Sequence, residues 1–69
     1  MIGIKVTGKD YNNFIKKLFN LIIFYSDLYI KNNILYFKTD YKSYLILKQN
    51  KGVYKITIYK RYNVFSFIH

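Results

Sequence analysis

Hydrophobic and polar positions alternate near both ends of the chain, and such alternation is typical of a β-strand with one buried face. Residues 2–7 place two isoleucines and a valine at every second position, and this strand is expected to end at Gly8. Residues 54–59 place a tyrosine and two isoleucines at alternate positions, with lysine, threonine and tyrosine between them. The pattern therefore predicts a first and a last strand.

Two stretches between these strands have the three-to-four-residue spacing of an amphipathic helix. An aspartate stands ahead of each, Asp10 and Asp40, and aspartate is a preferred N-cap residue. The expected apolar stripes are Tyr11, Phe14, Ile15, Leu18, Leu21 and Ile22 in the first helix, and Tyr41, Tyr44, Leu45 and Leu47 in the second. Gly52 is expected to cap the second helix at its C-terminal end. The two helix starts form a faint internal repeat, because Lys9-Asp10-Tyr11 recurs as Thr39-Asp40-Tyr41.

A β-hairpin is predicted in the middle of the chain, around Asn32-Asn33. Asparagine tolerates the positive φ that a two-residue hairpin turn needs, and apolar residues flank the pair on both sides. This turn sets the register, in which Tyr29 faces Tyr36. The residues then expected to share the core face of the hairpin are Leu28, Ile30, Leu35 and Phe37.

The predicted element order is β-α-β-β-α-β in a single small domain, residues 1–69. Right-handed crossovers place both helices on one face of a four-stranded antiparallel sheet, so the predicted fold class is α+β with a ferredoxin-like arrangement. The other face is left open to solvent or to a partner. By alternation this face gathers Lys5, Thr7, Tyr29, Lys31, Ile34, Tyr36, Lys38, Lys55, Thr57, Tyr59 and Arg61.

Tyrosine rings interleaved with five cations on an open sheet are typical of domains that stack bases and neutralise phosphates. One hypothesis is therefore binding of RNA or other single-stranded nucleic acid. The candidate interaction face consists of Lys5, Thr7, Tyr29, Lys31, Tyr36, Lys38, Lys55, Tyr59 and Arg61. The competing interpretation is a solvated or protein-facing sheet, because tyrosine has a high β-propensity and lysine discourages edge pairing. The aromatic-glycine signature of an RNA-recognition motif is also missing around residues 33–38.

The net charge of +9 favours an anionic partner. Part of this excess has a simpler source, because Ile, Lys, Asn, Tyr and Phe make up 44 of the 69 residues and AT-rich codons encode all five. An AT-rich bacterial genome would produce many lysines without selection for binding. Anionic lipid is a third partner class, to which each lysine near a membrane surface would contribute about 1 kcal/mol.

Residue types that carry catalysis or ligate metals are scarce in this sequence. The acidic residues Asp10, Asp27 and Asp40 stand singly, two of them at expected helix caps, and the one histidine is His69. There is no cysteine, the serines lack a neighbouring base, and the three glycines form no phosphate-binding loop. We expect no enzyme activity, no cofactor and no metal site.

Several segments resemble the N-terminal soluble region of the YqfD-type sporulation proteins. The likeness runs through IKVTG at 4–8, FIKKL at 14–18, LYFK at 35–38, Asp40-Tyr41 and YKITI at 54–58, and so covers nearly the whole chain. The resemblance implies a cytoplasmic domain of a bacterial sporulation membrane protein, at the inner face of the membrane and followed by a membrane segment.

Small α+β domains frequently pack against a partner through an open sheet or an edge strand, and tyrosines are suitable interface anchors. Together with the resemblance, this makes a non-enzymatic interaction or assembly domain our first interpretation, with a protein partner or self-association ahead of nucleic acid and lipid. No stretch reaches the roughly 18 to 20 apolar residues that span a bilayer, so the chain as given is expected to be soluble. The apolar run at residues 64–69 either approaches a membrane helix or forms a final edge strand.

Overall fold

The computed structural model of the chain describes residues 1–62. Within them, strands and helices follow the predicted order: β1 (Ile2–Thr7), α1 (Tyr11–Leu18), β2 (Ser26–Lys31), β3 (Ile34–Thr39), α2 (Tyr41–Gln49) and β4 (Lys55–Arg61). One turn of 3-10 helix (Phe19–Leu21) follows α1. The fold class is α+β, and the alternatives predicted for residues 64–69 lie outside the described residues.

The four strands form one open antiparallel sheet in the order β2-β3-β1-β4. Strands β3 and β1 lie in the centre, and β2 and β4 form the edges. Asn32 and Asn33 join β2 to β3 with φ values of 51° and 66°, so both adopt the positive φ of a type I′ turn. Tyr29 lies opposite Tyr36, which confirms the predicted hairpin and its register next to the turn. The register shifts by one residue between Ser26 and Tyr29, so the predicted pairing of Leu28 with Phe37 is wrong.

Both helices start at the predicted aspartates. The Asp10 carboxylate accepts a hydrogen bond from the backbone N–H of Asn13 at 3.2 Å, and Asp40 accepts one from the N–H of Ser43 at 3.3 Å. A carboxylate at this position satisfies an otherwise free N–H and interacts favourably with the helix dipole. The second helix ends at Gln49, and Gly52 lies in the turn beyond it with φ 58°, so Gly52 is not the helix cap that was predicted.

Alternate residues of the central strands pack with both helices in one core. The buried hydrophobic residues are Ile2, Ile4 and Val6 of β1, Leu35 and Phe37 of β3, Ile56 of β4, Tyr11, Phe14 and Leu18 of α1, Tyr44 and Leu47 of α2, and Phe19 and Tyr54 outside these elements. Because these strand positions alternate, the intervening side chains point to the opposite face of the sheet. That face is the one on which the candidate residues were predicted.

Five apolar positions expected to face the core are exposed instead. Two of them, Tyr41 and Leu45 of α2, are 51% and 42% exposed, so the predicted apolar stripe of this helix is only partly buried. Leu28 and Ile30 of β2 are 38% and 57% exposed, whereas their predicted partners Leu35 and Phe37 on β3 are buried. The first helix also ends one turn earlier than its apolar stripe predicts, so Leu21 is 44% exposed. The apolar face of the β2 edge strand is therefore left largely uncovered.

Candidate functional site

The strand register shows which side chains lie on the open face, because residues directly opposite each other in an antiparallel pair point to the same side of the sheet. Lys5 lies opposite Tyr36 on β3 and Thr57 on β4, and Tyr36 lies opposite Tyr29. We call this surface the open sheet face. It consists of Gly3, Lys5, Thr7, Tyr29, Lys31, Ile34, Tyr36, Lys38, Lys55, Thr57, Tyr59 and Lys60. Every predicted candidate residue lies on it except Arg61.

Strand β4 contains an irregularity that decides the placement of its last residues. Ile4 pairs with Ile58, whereas Gly3 pairs with Lys60 instead of the next residue in register. The extra residue is a β-bulge, and a bulge shifts the alternation of all residues that follow it.

The predicted placement of Arg61 on the open sheet face is wrong for this reason. Arg61 pairs with Ile2, which points into the core, and its guanidinium lies 5.9 Å from the centre of the Tyr41 ring at the start of α2. Lys60 takes its place on the open sheet face. Strict alternation could not find Lys60, because no residue around 59–60 signals a bulge in the sequence.

Three tyrosine rings contact one another across the open sheet face. Tyr29 and Tyr36 stack with their centres 5.0 Å apart and an angle of 15° between the rings. Tyr36 meets Tyr59 edge to face at 5.4 Å and 86°. The Tyr59 ring lies against the backbone of Gly3, where a Cβ atom would come within 2.8 Å of its Cζ. Glycine at position 3 therefore lets this ring lie close to the sheet.

The hydroxyl of Tyr59 has a pKa raised to about 12. Partial desolvation is the main cause, and the neighbouring hydroxyls of Tyr62 and Tyr29 add to it because they disfavour a further negative charge. Tyr59 nevertheless keeps 40% of its surface exposed. It is thus a neutral, anchored ring with one accessible side.

Two lysines approach the ring of Tyr62, which follows β4 and was not predicted as a site residue. The Nζ atoms of Lys38 and Lys60 lie 4.5 Å and 4.9 Å from its centre, within the range of cation–π attraction. Lys38 also forms a salt bridge of 2.9 Å with Asp27, and this hydrogen bond raises the pKa of Lys38 above its ordinary value. Among residues 1–62, this is the one salt bridge.

A shallow basin of about 560 Å³ lies beside Tyr59 on the open sheet face. Two lysines and two threonines form its polar lining, namely Lys5, Lys55, Thr7 and Thr57. Ile58 and Tyr59 complete the basin. Ammonium groups and hydroxyls are donors suited to an anion. Because Asp10 and Asp40 cap helices and Asp27 pairs with Lys38, no described carboxylate forms a salt bridge with the basin lysines.

A second surface runs along β2 and the segment before it. We call it the β2 edge surface; its large hydrophobic side chains, exposed by 38% to 96%, are Leu21, Ile23, Phe24, Tyr25, Leu28 and Ile30. Thr39 at the end of β3 holds this region in place, since its buried hydroxyl donates a hydrogen bond of 2.6 Å to the carbonyl of Phe24. Sequence reasoning missed this surface, because it assigned Leu21, Leu28 and Ile30 to the core.

The part of the chain that the structure describes contains no group of three or more His, Cys, Asp or Glu side chains placed to hold a metal ion. None of its helices combines the length and hydropathy needed to cross a bilayer. Comparison with protein families, with curated proteins and with solved structures finds no match to this chain.

Proposed function

We propose that this chain is a non-enzymatic interaction and assembly domain that associates through its β2 edge surface, with a second copy of itself as the partner. The observation that carries the proposal is the exposure of six large hydrophobic side chains on an edge strand and the segment before it. An exposed apolar patch of this size marks an interaction site more often than it marks a surface in contact with water alone.

The area of the β2 edge surface is sufficient for a small interface. With roughly 200 Å² for each large side chain, the six exposed fractions correspond to on the order of 650 Å² per copy. A standard interface buries about 800 Å² per partner, and the largest patch on a typical monomer is about 300–600 Å². The expected complex is therefore weak, with a dissociation constant in the micromolar range or above.

The backbone of β2 adds hydrogen bonds to this apolar contact. A two-residue turn makes Lys31 and Ile34 a hydrogen-bonded pair, so the N–H and C=O of Ile30 point away from β3. A two-fold axis at Tyr29 would set Ile30 of each copy opposite Leu28 of the other.

We also propose that the arrangement of elements is ferredoxin-like. The strand order β2-β3-β1-β4 with antiparallel neighbours supports this, because each β-α-β half contributes one central and one edge strand. Superposition of an experimental structure on proteins of that fold would test the proposal. Helices on opposite faces of the sheet would contradict it.

The cellular setting that we propose is the one that the resemblance implies: an assembly domain of a sporulation protein at the inner face of a bacterial membrane. The likeness of residues 4–8 and 54–58 to the YqfD-type region supports it. Fluorescent fusion of the full-length gene product, imaged through sporulation, tests it. A signal spread evenly through vegetative cells and absent from sporulating ones would count against it.

Sedimentation equilibrium over 10 μM to 1 mM protein tests the association itself. We expect a monomer–dimer equilibrium that Ile30→Lys weakens by tenfold or more, because a lysine at this position would place a charge opposite Leu28 of the other copy, within the apolar contact. Val53→Lys is the matched control, since Val53 is 91% exposed outside the β2 edge surface and gains the same charge. Nitrogen-15 spectra recorded across the dilution series should shift at residues 28–31.

Three outcomes would overturn the proposal. The first is a monomer at every concentration, and the second is an equal loss of association in the Ile30→Lys and Val53→Lys variants. The third is a dimer whose shifted amides lie on the helices. High salt should leave the association unchanged or strengthen it, because salt screens the repulsion between two copies that each carry a charge of +9.

A further inference from the structure

We propose that the open sheet face binds single-stranded nucleic acid, with one base stacked on Tyr59 and the adjoining phosphates held in the basin by Lys5 and Lys55. This site is separate from the β2 edge surface, and it goes beyond the assembly role because it names a ligand of different chemistry. It rests on three features of the open sheet face: an anchored ring, a donor-lined basin beside it, and a row of cations across the strands.

The first feature is the orientation of the Tyr59 ring. The ring is held from below by the backbone of Gly3 and from the side by Tyr36, whose plane stands at 86° to it. A ring fixed in this way loses little entropy when a base stacks on its exposed side. Stacking on an aromatic side chain is tolerant of base identity, because every base has a π-face.

The second feature is the basin, which begins at the same ring. Tyr59 and Ile58 line it together with four residues whose side chains carry hydrogen-bond donors, Lys5, Thr7, Lys55 and Thr57. A nucleotide whose base covers Tyr59 would therefore place its phosphate among donors. A ring next to lysines on adjacent strands fits a nucleotide better than it fits a purely anionic ligand such as sulfate.

The third feature is the extent of the cations across the sheet. Four strands at about 4.8 Å spacing give a face about 14 Å wide, and four-stranded sheets of this type hold two or three unstacked nucleotides. Lys60 and Lys31 belong to the two edge strands, so cations stand on both sides of the tyrosines. The face is open and shallow, and ring stacking requires an unpaired base, so a single strand fits it and a duplex does not.

The test uses fluorescence anisotropy of a labelled 12-nucleotide uridine RNA, its deoxy counterpart and a duplex of equal length, at 50 and 200 mM salt. We expect micromolar binding of the single strands and weaker binding of the duplex. Tyr59→Leu should weaken binding of the single strands roughly 5- to 100-fold, since stacking contributes about that factor per base. Tyr59→Phe keeps the ring and should bind within about twofold of the wild type.

Charge variants distinguish binding by the basin lysines from nonspecific attraction by the other lysines of the chain. The double variant Lys5→Gln with Lys55→Gln should lower the salt slope of log Kd by about 1.4, because each phosphate contact of a single strand contributes about 0.7. The matched control is Lys16→Gln with Lys17→Gln, which removes the same charge from α1 and should change the slope much less. Circular dichroism of each variant checks that it is folded.

A spectroscopic readout on the wild type needs no variant. Addition of the uridine RNA should shift the amide signals of Gly3 and Thr57, which lie beneath and beside the Tyr59 ring.

Any of four results would overturn the proposal: no binding at 50 mM salt, equal losses in the two lysine pairs, no effect of Tyr59→Leu, or duplex binding as tight as single-strand binding. Inorganic polyphosphate that binds as tightly as the RNA would also overturn it, because it offers charge without bases.

Discussion

Gly8 at the end of β1 is predicted to be the glycine least tolerant of a side chain. The Tyr54 ring packs directly on it, so a Cβ atom at position 8 would lie 2.4 Å from Cδ1 and 2.9 Å from Cε1 of that ring. The ring cannot move freely, because its hydroxyl donates a hydrogen bond of 2.8 Å to the carbonyl of Asp10 and its edge packs on Phe14 with 4.9 Å between ring centres. Gly8→Ala must therefore displace the ring or the strand.

Overpacking a buried contact of this kind costs about 1–3 kcal/mol. The free energy of unfolding of a 69-residue domain is about 3–10 kcal/mol, so the loss is a large fraction of the total. At about 4–8 °C per kcal/mol for a domain of this size, Tm should fall by roughly 5–20 °C. Urea unfolding followed by circular dichroism, together with a thermal scan, measures both quantities.

Gly52→Ala serves as the matched control, because Gly52 has no atom within 4 Å of a built Cβ and its cost comes from its φ of 58° alone, about 1 kcal/mol. In a Tyr54→Ala background, Gly8→Ala should cost about as much as Gly52→Ala, since the ring that it would strike is gone and only the strain from its φ of 159° remains. The reasoning is refuted if Gly8→Ala is as mild as Gly52→Ala when Tyr54 is present, or if its full cost persists without the Tyr54 ring.

Three further predictions concern single hydrogen bonds and ionisations. Asp40→Asn removes the charge but keeps a capping side chain, so it should cost about 0.3–1 kcal/mol at pH 7. Because hydrogen bonds from Ser43 hold the pKa of Asp40 below its ordinary 3.8, this contribution is present above that value and lost as pH falls through the lowered pKa, so urea unfolding should show the two proteins converging as pH is lowered. Tyr59, with its pKa raised to about 12, should stabilise the folded state fully below pH 10 and lose that contribution as pH rises toward 12; absorbance at 295 nm should show a late-titrating phenol that Tyr59→Phe removes. Thr39→Val should cost about 1–3 kcal/mol by leaving the Phe24 carbonyl without its donor, and limited proteolysis should cut faster within residues 21–25; an unchanged cleavage rate would contradict that role.

Some elements follow from the sequence because neighbouring residues alone decide them. The helix starts are readable since Asp10 and Asp40 each accept a hydrogen bond from a backbone N–H three residues later. The hairpin is readable since Asn32 and Asn33 tolerate positive φ. The core face of β1 can also be predicted from the sequence, because a central strand keeps its alternation of apolar and polar residues whichever element covers it. These are local properties, and the structure confirms each of them.

Other features depended on what the elements meet in three dimensions. Leu28 and Ile30 alternate like core residues, but alternation shows only that a strand has an apolar face and not that a helix covers it. Arg61 was placed on the wrong face because the bulge arises from pairing between β4 and β1, and no local residue announces it.

The candidate surfaces likewise combine features that the sequence predicted with features that only the structure revealed. From the sequence alone, alternation placed Tyr29, Tyr36 and Tyr59 together on one face of the sheet. Only the tertiary structure set the Tyr59 ring against Gly3, because that contact joins residues from strands at opposite ends of the chain. Only the tertiary structure exposed the β2 edge surface, because burial depends on where the helices end and which strands lie at the edges. A linear pattern holds neither kind of information.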